Sequence, residues 1–339
     1  MGTIGVGVIG LGFMGRTHIA AYESARGAGF DCELRAIASP HASVQASATS
    51  RGAGNLASGG SSTIDLARVR TYATADELLQ DASVDLVSIC TYTDTHVALA
   101  RAALAAGKHV LIEKPVALRS AEIAELAATA RAARTLCLPA MCLRFWPAWR
   151  WLRESIRSGA YGAVSSARFE RLGAPPSWAQ SFYLDARKSG NAIFDLHIHD
   201  VDFIAWCFGA PAAVCSTGSE AHVTTLYRFR KGPPHVVAEG GWARVENFKF
   251  RMKFTVVFED AAADYEFGRD PELSLTRAGE TQAIALDSHN GYDGEVRHLL
   301  AAIRDGQRAL DATLEEAVLV TRVIEAERES LARGAWVAV

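Results

Sequence analysis

Three short stretches carry residue types whose spacing could do chemistry. "VGVIGLGFMGRTH" sets Gly10, Gly12 and Gly15 in a G-x-G-x-x-G pattern. "GKHVLIEKP" ends an apolar run, Val110-Leu111-Ile112, in Glu113, Lys114 and Pro115. "GNAIFDLHIHDVDFIAWCFG" places Asp195 four residues before His199. A lysine at the mouth of a sheet could hydrogen-bond a substrate oxygen and stabilise charge developing on it. The alternative is a strand end surfacing into water. Pro115 would fix the backbone so that Lys114 points inward, a cis peptide being one way to do so. A histidine beside a carboxylate is a tunable proton carrier near neutral pH; the alternative is a satisfied core histidine. On a helix Asp195, His199 and Asp202 share one face. His197 then points elsewhere, which argues against an H-x-H metal site, and no metal is expected.

The glycine pattern follows the apolar run "IGVGVIG" and opens a helical stretch running through Tyr22. Gly10 permits the tight turn, Gly12 lets a pyrophosphate approach the backbone, and Gly15 lets the helix pack close to the strand. Phosphates then sit on the helix N-terminus, where free N–H groups favour negative charge. The pattern therefore points to a dinucleotide, held by Gly10, Gly12, Phe13, Met14 and Gly15; the alternative is a glycine turn in another doubly wound fold. An NAD site usually carries Asp or Glu at the end of the second strand. No acid occurs from Ala36 to Ala48; Ser39 and His41 stand there, with Arg51 further on. A missing carboxylate removes repulsion against a 2′-phosphate, so NAD or NADP is expected, with NADP slightly favoured.

The elements that must position these residues are legible as alternating patterns. "CELRAIA", "VDLVSIC", "HVLIE" and "TLCLPA" read as strands separated by helical stretches, which means a parallel sheet covered on both faces. Ligands bind at the C-terminal edge of such a sheet. Both "EKP" and "TYTDTH" lie there, making Thr91, Thr93 and His96 candidate cofactor contacts. A patterned stretch starts near Ser43, and "RGAGNLASGGSS", from Arg51 to Ser62, reads as a surface loop in the second crossover.

After about Cys142 the character changes. "WPAWRWLRESIRSGA" reads as a helix with Pro147 in its first turn and Gly159 near its end. The runs "AVSSARFERL", "VTTLYRFR", "HVVAEGGWARV", "KFRMKFTVVFE" and "ADYEFG" read as an antiparallel sheet. Two closing helices are expected near 293–305 and 313–332, the second opened by a Thr313/Glu316 capping box. The expected domains are a dinucleotide-binding α/β domain over 1–142 and an α+β substrate and oligomerisation domain over 143–339. Trp178 and Lys188, in "APPSWAQSFYLDARKSG", are candidates for the substrate site or equally loop anchors.

Totals set the outer limits. A chain of 339 residues suits two domains, and 49% hydrophobic with 22% charged residues is ordinary globular composition. A net charge of -3 gives no general attraction to nucleic acid or anionic membranes. Six cysteines without metal spacing suit reduced thiols and a cytoplasmic location. No basic-then-apolar leader opens the chain, and no apolar run approaches the ~18 residues of a membrane span.

Glycine loop, EKP and D-x-x-x-H, in that order, resemble the glucose–fructose oxidoreductase / inositol dehydrogenase (Gfo/Idh/MocA) family. The resemblance runs from "GVGVIGLGFMG" through "GKHVLIEKP", "RFWP" and "DLHIHDVDFIAWCFG" to "YDGEVRHLLAAI". It implies a Rossmann domain followed by an α/β domain on an open, mostly antiparallel sheet that often forms the interface of a homodimer or homotetramer. It implies that Lys114 holds the reacting hydroxyl near the nicotinamide, that His199 is the general acid/base, and that Asp195 orients it or the substrate. Glu113 matches a glutamate near the nicotinamide ribose, and Arg144 lies where relatives often contact substrate. Relatives usually read T-P-N-x-x-H where Tyr92 and Thr93 stand here. They often read G-G-x-x-x-D-x-G-x-H where Asn191 and His197 replace glycines, and His197 could add a second proton carrier near the site.

The activity implied is NAD(P)-dependent hydride transfer between the nicotinamide and a secondary alcohol or ketone of a sugar, cyclitol or related polyol. Two other classes share the fold: an NAD-dependent glycoside hydrolase, which would show no net redox change, and a non-catalytic cofactor-binding regulator. The regulators would be expected to lose the lysine or the histidine, and this chain keeps both.

Overall fold

The computed structural model describes residues 2–39, 68–176, 180–183, 185–245 and 248–339. The chain forms two units, one of residues 1–145 and 290–318, the other of residues 146–289 and 319–339. A single cut after Cys142 therefore misplaces a segment. The helix Gly291–Arg304, far along the chain, packs on the helix Phe13–Gly27 of the first unit. Its buried Val296, Leu299 and Leu300 find their partners there, which no local pattern reveals.

The first unit is built on six strands: β1 (Ile4–Ile9), β2 (Cys32–Ala38), β3 (Arg70–Tyr72), β4 (Leu86–Ile89), β5 (His109–Ile112) and β6 (Cys137–Pro139). They are all parallel, in the order β3-β2-β1-β4-β5-β6. This is the doubly wound order expected, with the strand order reversing at β1. The apolar runs supply fully buried strands: Val6, Val8, Ile37, Val87, Ile89, Val110, Leu111 and Ile112 sit in the core. The short β3 lies outside the runs that the sequence marks. The patterned stretch near Ser43 and the loop Arg51–Ser62 lie outside the described residues.

Register places the chemistry at one edge. Ala38, Ile9, Ile89, Ile112 and Pro139 form one row across the sheet. The next row is Ser39, Gly10, Cys90, Glu113 and Ala140, and four of its backbone N–H groups donate to the row before: Gly10 to Ala38, Cys90 to Ile9, Glu113 to Ile89 and Ala140 to Ile112. The glycine loop, "TYTDTH" and "EKP" thus leave the sheet side by side.

The second unit opens with the helix Pro147–Ser158, with Pro147 in its first turn and Gly159 as a left-handed C-cap, as its sequence predicts. Its sheet has nine strands: β7 (Val164–Gly173), β8 (Ala213–Ser219), β9 (His222–Arg228), β10 (His235–Trp242), β11 (Arg251–Phe258), β12 (Ala262–Glu266), β13 (Leu273–Arg277), β14 (Glu280–Ala283) and β15 (Val337–Ala338). The order is β14-β13-β12-β11-β7-β10-β9-β8-β15, antiparallel except between β7 and β10. Strands β8, β13, β14 and β15 lie outside the marked runs; β14 is exposed at all four positions, so it carries no alternation to read. Trp149 is the centre of this core, ringed by Phe169, Phe203, Phe254 and Tyr265. The closing helix Leu314–Arg333 is capped by Thr313 and Glu316 as expected.

All six cysteines are free thiols. No described helix is long and apolar enough to cross a membrane. Among the described residues no cluster of His, Cys, Asp or Glu could hold a metal ion.

Candidate active site

The candidate residues divide between the two units. On the first, Gly10 holds φ +92° and a Cβ there would meet the Cys90 carbonyl oxygen at 2.6 Å. A Cβ on Gly15 would lie 2.0 Å from the Gly10 carbonyl oxygen. Both glycines are therefore demanded by packing. Gly12 differs: its backbone is extended, and a Cβ would meet nothing within 4 Å. Nothing in the protein requires a glycine at 12, yet it caps the helix Phe13–Gly27 without a side-chain cap or an acid in the first turn. The first-turn N–H groups of a helix opening on such a face suit a pyrophosphate. Phe13 and Met14 are half-buried in that first turn. Ser39 is half-buried, its N–H donated to Tyr72. His41 lies outside the described residues.

After β4, Thr91 and Thr95 share a hydroxyl hydrogen bond of 2.7 Å, and Thr93 is buried at the start of the helix Thr93–Ala105. His96 is among the expected cofactor contacts. It is 1% exposed, and its ring nitrogens face the carbonyls of Pro115 at 2.9 Å and Thr91 at 3.1 Å. It ties the loop after β4 to the loop after β5. Burial is the main cause that lowers its pKa below the ordinary imidazole value.

Lys114 is half-buried, and the Lys114–Pro115 peptide is cis. Glu113 is the residue expected near the nicotinamide ribose. Its side chain is 7% exposed and both carboxylate oxygens are engaged within the protein. His18 Nε2 donates to one at 2.9 Å, and the backbone N–H of Lys114 donates to the other at 3.0 Å. Burial opposes ionisation of Glu113, but the His18 hydrogen bond and charge, with Lys114 and His96, outweigh it and hold the carboxyl below its usual range. Glu295, from the distant helix Gly291–Arg304, faces the same imidazole at 3.7 Å. Burial, with Glu113 beside it, pushes that carboxyl well above its usual value.

Arg144 is the residue expected near substrate. It is 1% exposed, and its guanidinium donates to the Asp311 carbonyl and to Glu316, each at 2.7 Å. These contacts hold the 3₁₀ turn Cys142–Phe145 to the start of the closing helix.

On the second unit a π-helical turn, Ile193–His197, leads into the helix Ile198–Phe208. Asp195 and His199 are both half-buried, whereas Asp202 is 1% exposed. Trp242, which the sequence reading missed, donates its indole N–H to Asp195 Oδ2 at 3.1 Å. Its signal was a large aromatic ending a glycine-weakened strand, "EGGW". His197, expected as a second proton carrier, is fully buried against Tyr227 and Glu327. Asn191 holds φ +61°, a left-handed conformation that asparagine tolerates better than most residues. Lys188 is exposed, and Trp178 lies outside the described residues.

Comparison with known proteins places this geometry. Residues 4–140 match the model described as "Oxidoreductase family, NAD-binding Rossmann fold", and residues 149–260 match the GFO/IDH/MocA C-terminal domain. An uncharacterized oxidoreductase of Synechocystis is 30% identical over 219 residues, 64% of this chain and 54% of that protein. The trans-1,2-dihydrobenzene-1,2-diol dehydrogenase of Mus musculus is 34% identical over 151 residues, 44% of this chain and 45% of that enzyme. The chain thus spans about half the length of these curated relatives. A solved oxidoreductase domain protein from Kribbella flavida superposes with a TM-score of 0.83 at 25% identity, covering 100% of both chains. A levoglucosan dehydrogenase, in complex with NADH and levoglucosan, shares the fold with a TM-score of 0.84 at 20% identity, covering 99% of both chains. Two family models, matched in order over well over half of the sequence, place the chain in the Gfo/Idh/MocA family of oxidoreductases.

Proposed function

We propose that this protein is an NAD(P)-dependent dehydrogenase or reductase acting on a secondary alcohol or ketone of a sugar, cyclitol or related polyol. The observation that carries the reading is the seat of Lys114: half-buried at the C-terminal edge of the sheet, one residue past the row that holds Gly10 and Glu113, with its backbone held by Glu113. A cyclic diol substrate in a relative's name, at 34% identity, supports the substrate class.

Gly10, Gly12 and Gly15, with the helix N-terminus, hold the pyrophosphate. When bound, the dinucleotide supplies the nicotinamide carbon that takes or gives the hydride. Lys114 hydrogen-bonds the reacting oxygen and stabilises negative charge on it, while His199 takes the hydroxyl proton. Asp195, held by Trp242, orients His199 or the substrate. The absence of an acid around Ser39 favours NADP. The second unit carries the substrate determinants and the surface for a homodimer or homotetramer, in the cytoplasm.

The test is a nicotinamide-fluorescence titration with NADH and NADPH, then an absorbance screen on cyclitols, aldoses and keto-sugars with wild type and Lys114→Ala. The expected result is net turnover by wild type and abolished turnover by Lys114→Ala with cofactor binding retained. Cofactor binding without net redox on any substrate would overturn the dehydrogenase reading in favour of a hydrolase or regulator. Near-normal turnover by Lys114→Ala would overturn the role of the lysine.

A further inference from the structure

His197 is fully buried, and its bulk has a matched seat. Its backbone is ordinary right-handed helix, φ -64°, so no conformation there demands glycine. Opposite lies Gly240 in β10, where a Cβ would fall 2.6 Å from the His197 Cβ. The gap in the strand admits the imidazole.

The ring is fully buried and anchored. Tyr227 donates its hydroxyl to Glu327 Oε1 at 2.7 Å. That uses the one hydroxyl proton, so His197 Nε2, at 3.2 Å, is the donor to the Tyr227 oxygen, and it also faces Glu327 Oε2 at 3.3 Å. Burial, reinforced by the Glu327 carboxylate, pushes the Tyr227 phenol well above its usual value, so it stays a donor. Three residues on, Asp200 is gripped by Arg171 of β7 through two hydrogen bonds of 3.0 and 3.2 Å. His197 is the last residue of the π-helical turn that contains Asp195 and precedes His199 by two.

We infer that His197 is a positioning residue: clamped by Tyr227 and Glu327 into the gap left by Gly240, it fixes the π-helical turn and so the placement of Asp195 and His199. It is not a second proton carrier. This rests on the roles proposed above for Asp195 and His199, but one readout does not. The Trp242 indole N–H donates to Asp195, so its resonance reports where that carboxylate stands.

The experiment compares wild type with Tyr227→Phe, which removes the hydroxyl and keeps the ring, and with His197→Ala and His197→Gln. The readouts are the ¹⁵N-indole resonance of Trp242, assigned by its loss in Trp242→Phe, NADH affinity, and kcat and KM on the polyol found by the screen. Tyr227→Phe is expected to move the indole resonance and lower kcat about 10- to 100-fold, with NADH affinity unchanged. His197→Gln, which retains a donor, is expected to keep more activity than His197→Ala. A folded Tyr227→Phe with an unmoved resonance and wild-type kcat would overturn the inference, even if the His197 variants fail to fold. Should wild type turn over no polyol, the functional reading fails by itself. The indole resonance then decides alone: a shift supports the clamp and no shift overturns it.

Discussion

Glu113 grips the backbone of the residue it precedes: its carboxylate accepts the Lys114 N–H at 3.0 Å, while His18 holds its other oxygen at 2.9 Å. An acid and a base side by side at a strand end are thus not a surface pair. The acid is an internal brace, and the lysine is what it braces.

Removing that brace should cost activity before it costs cofactor. Glu113→Gln is expected to lower kcat about tenfold or more through misplacement of Lys114, with NADH affinity held. Glu113→Ala leaves the buried His18 donor without its acceptor, a loss of about 1–3 kcal/mol. Steady-state kinetics and thermal denaturation check the pair; unchanged kcat in Glu113→Gln would remove the brace from the mechanism.

The two carboxylates facing His18 should titrate in opposite senses. Glu113 is held below its ordinary range, so its contribution is present above the ordinary glutamate pKa and lost as pH falls through the depressed value. Glu295 is raised, so its contribution is present below the ordinary glutamate pKa and lost as pH rises towards the raised value. Glu295→Gln should therefore gain on wild type as pH climbs above about 4.3, by at most about 1.4 kcal/mol per pH unit. Denaturant melts of both proteins from pH 4 to 9, with a flat difference, would contradict this.

The glycine loop separates packing from ligand. Gly15→Ala drives a methyl against the Gly10 carbonyl, so both the melting temperature and NADH affinity should fall. Gly12→Ala meets open space, so the fold should hold and only affinity should drop, about tenfold or more if the added methyl costs ~1.4 kcal/mol at the phosphate. Equal NADH binding by Gly12→Ala and wild type would leave the glycine at 12 without a ligand to explain it.

The buried Arg171–Asp200 pair links β7 to the helix that bears His199. Arg171→Met alone should destabilise the fold by about 3–5 kcal/mol, because Asp200 is left buried without its partner. The double variant Arg171→Met/Asp200→Leu should recover much of that loss. A double-mutant cycle by urea unfolding measures it, and simple additivity would refute the coupling.

The sequence by itself determined the local chemistry: the glycine turn, the parallel strand succession, the EKP strand end, the helix start at Pro147 and the capping box at Thr313. Each is set by residues within a few positions of one another, through backbone sterics, capping and hydrophobic periodicity. Tertiary structure decided which polar groups face which. The burial of Arg144 and His96 is hidden from a sequence, which shows type and spacing but not exposure. Both are engaged by carbonyls from other segments, Asp311 for one and Pro115 with Thr91 for the other. Glu295 reaches His18 from 277 positions away, and Tyr227, Gly240 and Glu327 converge on His197 from two strands and a closing helix. Burial and the pairing of buried polar groups are properties of the packed chain, and only the packing of distant segments settles them.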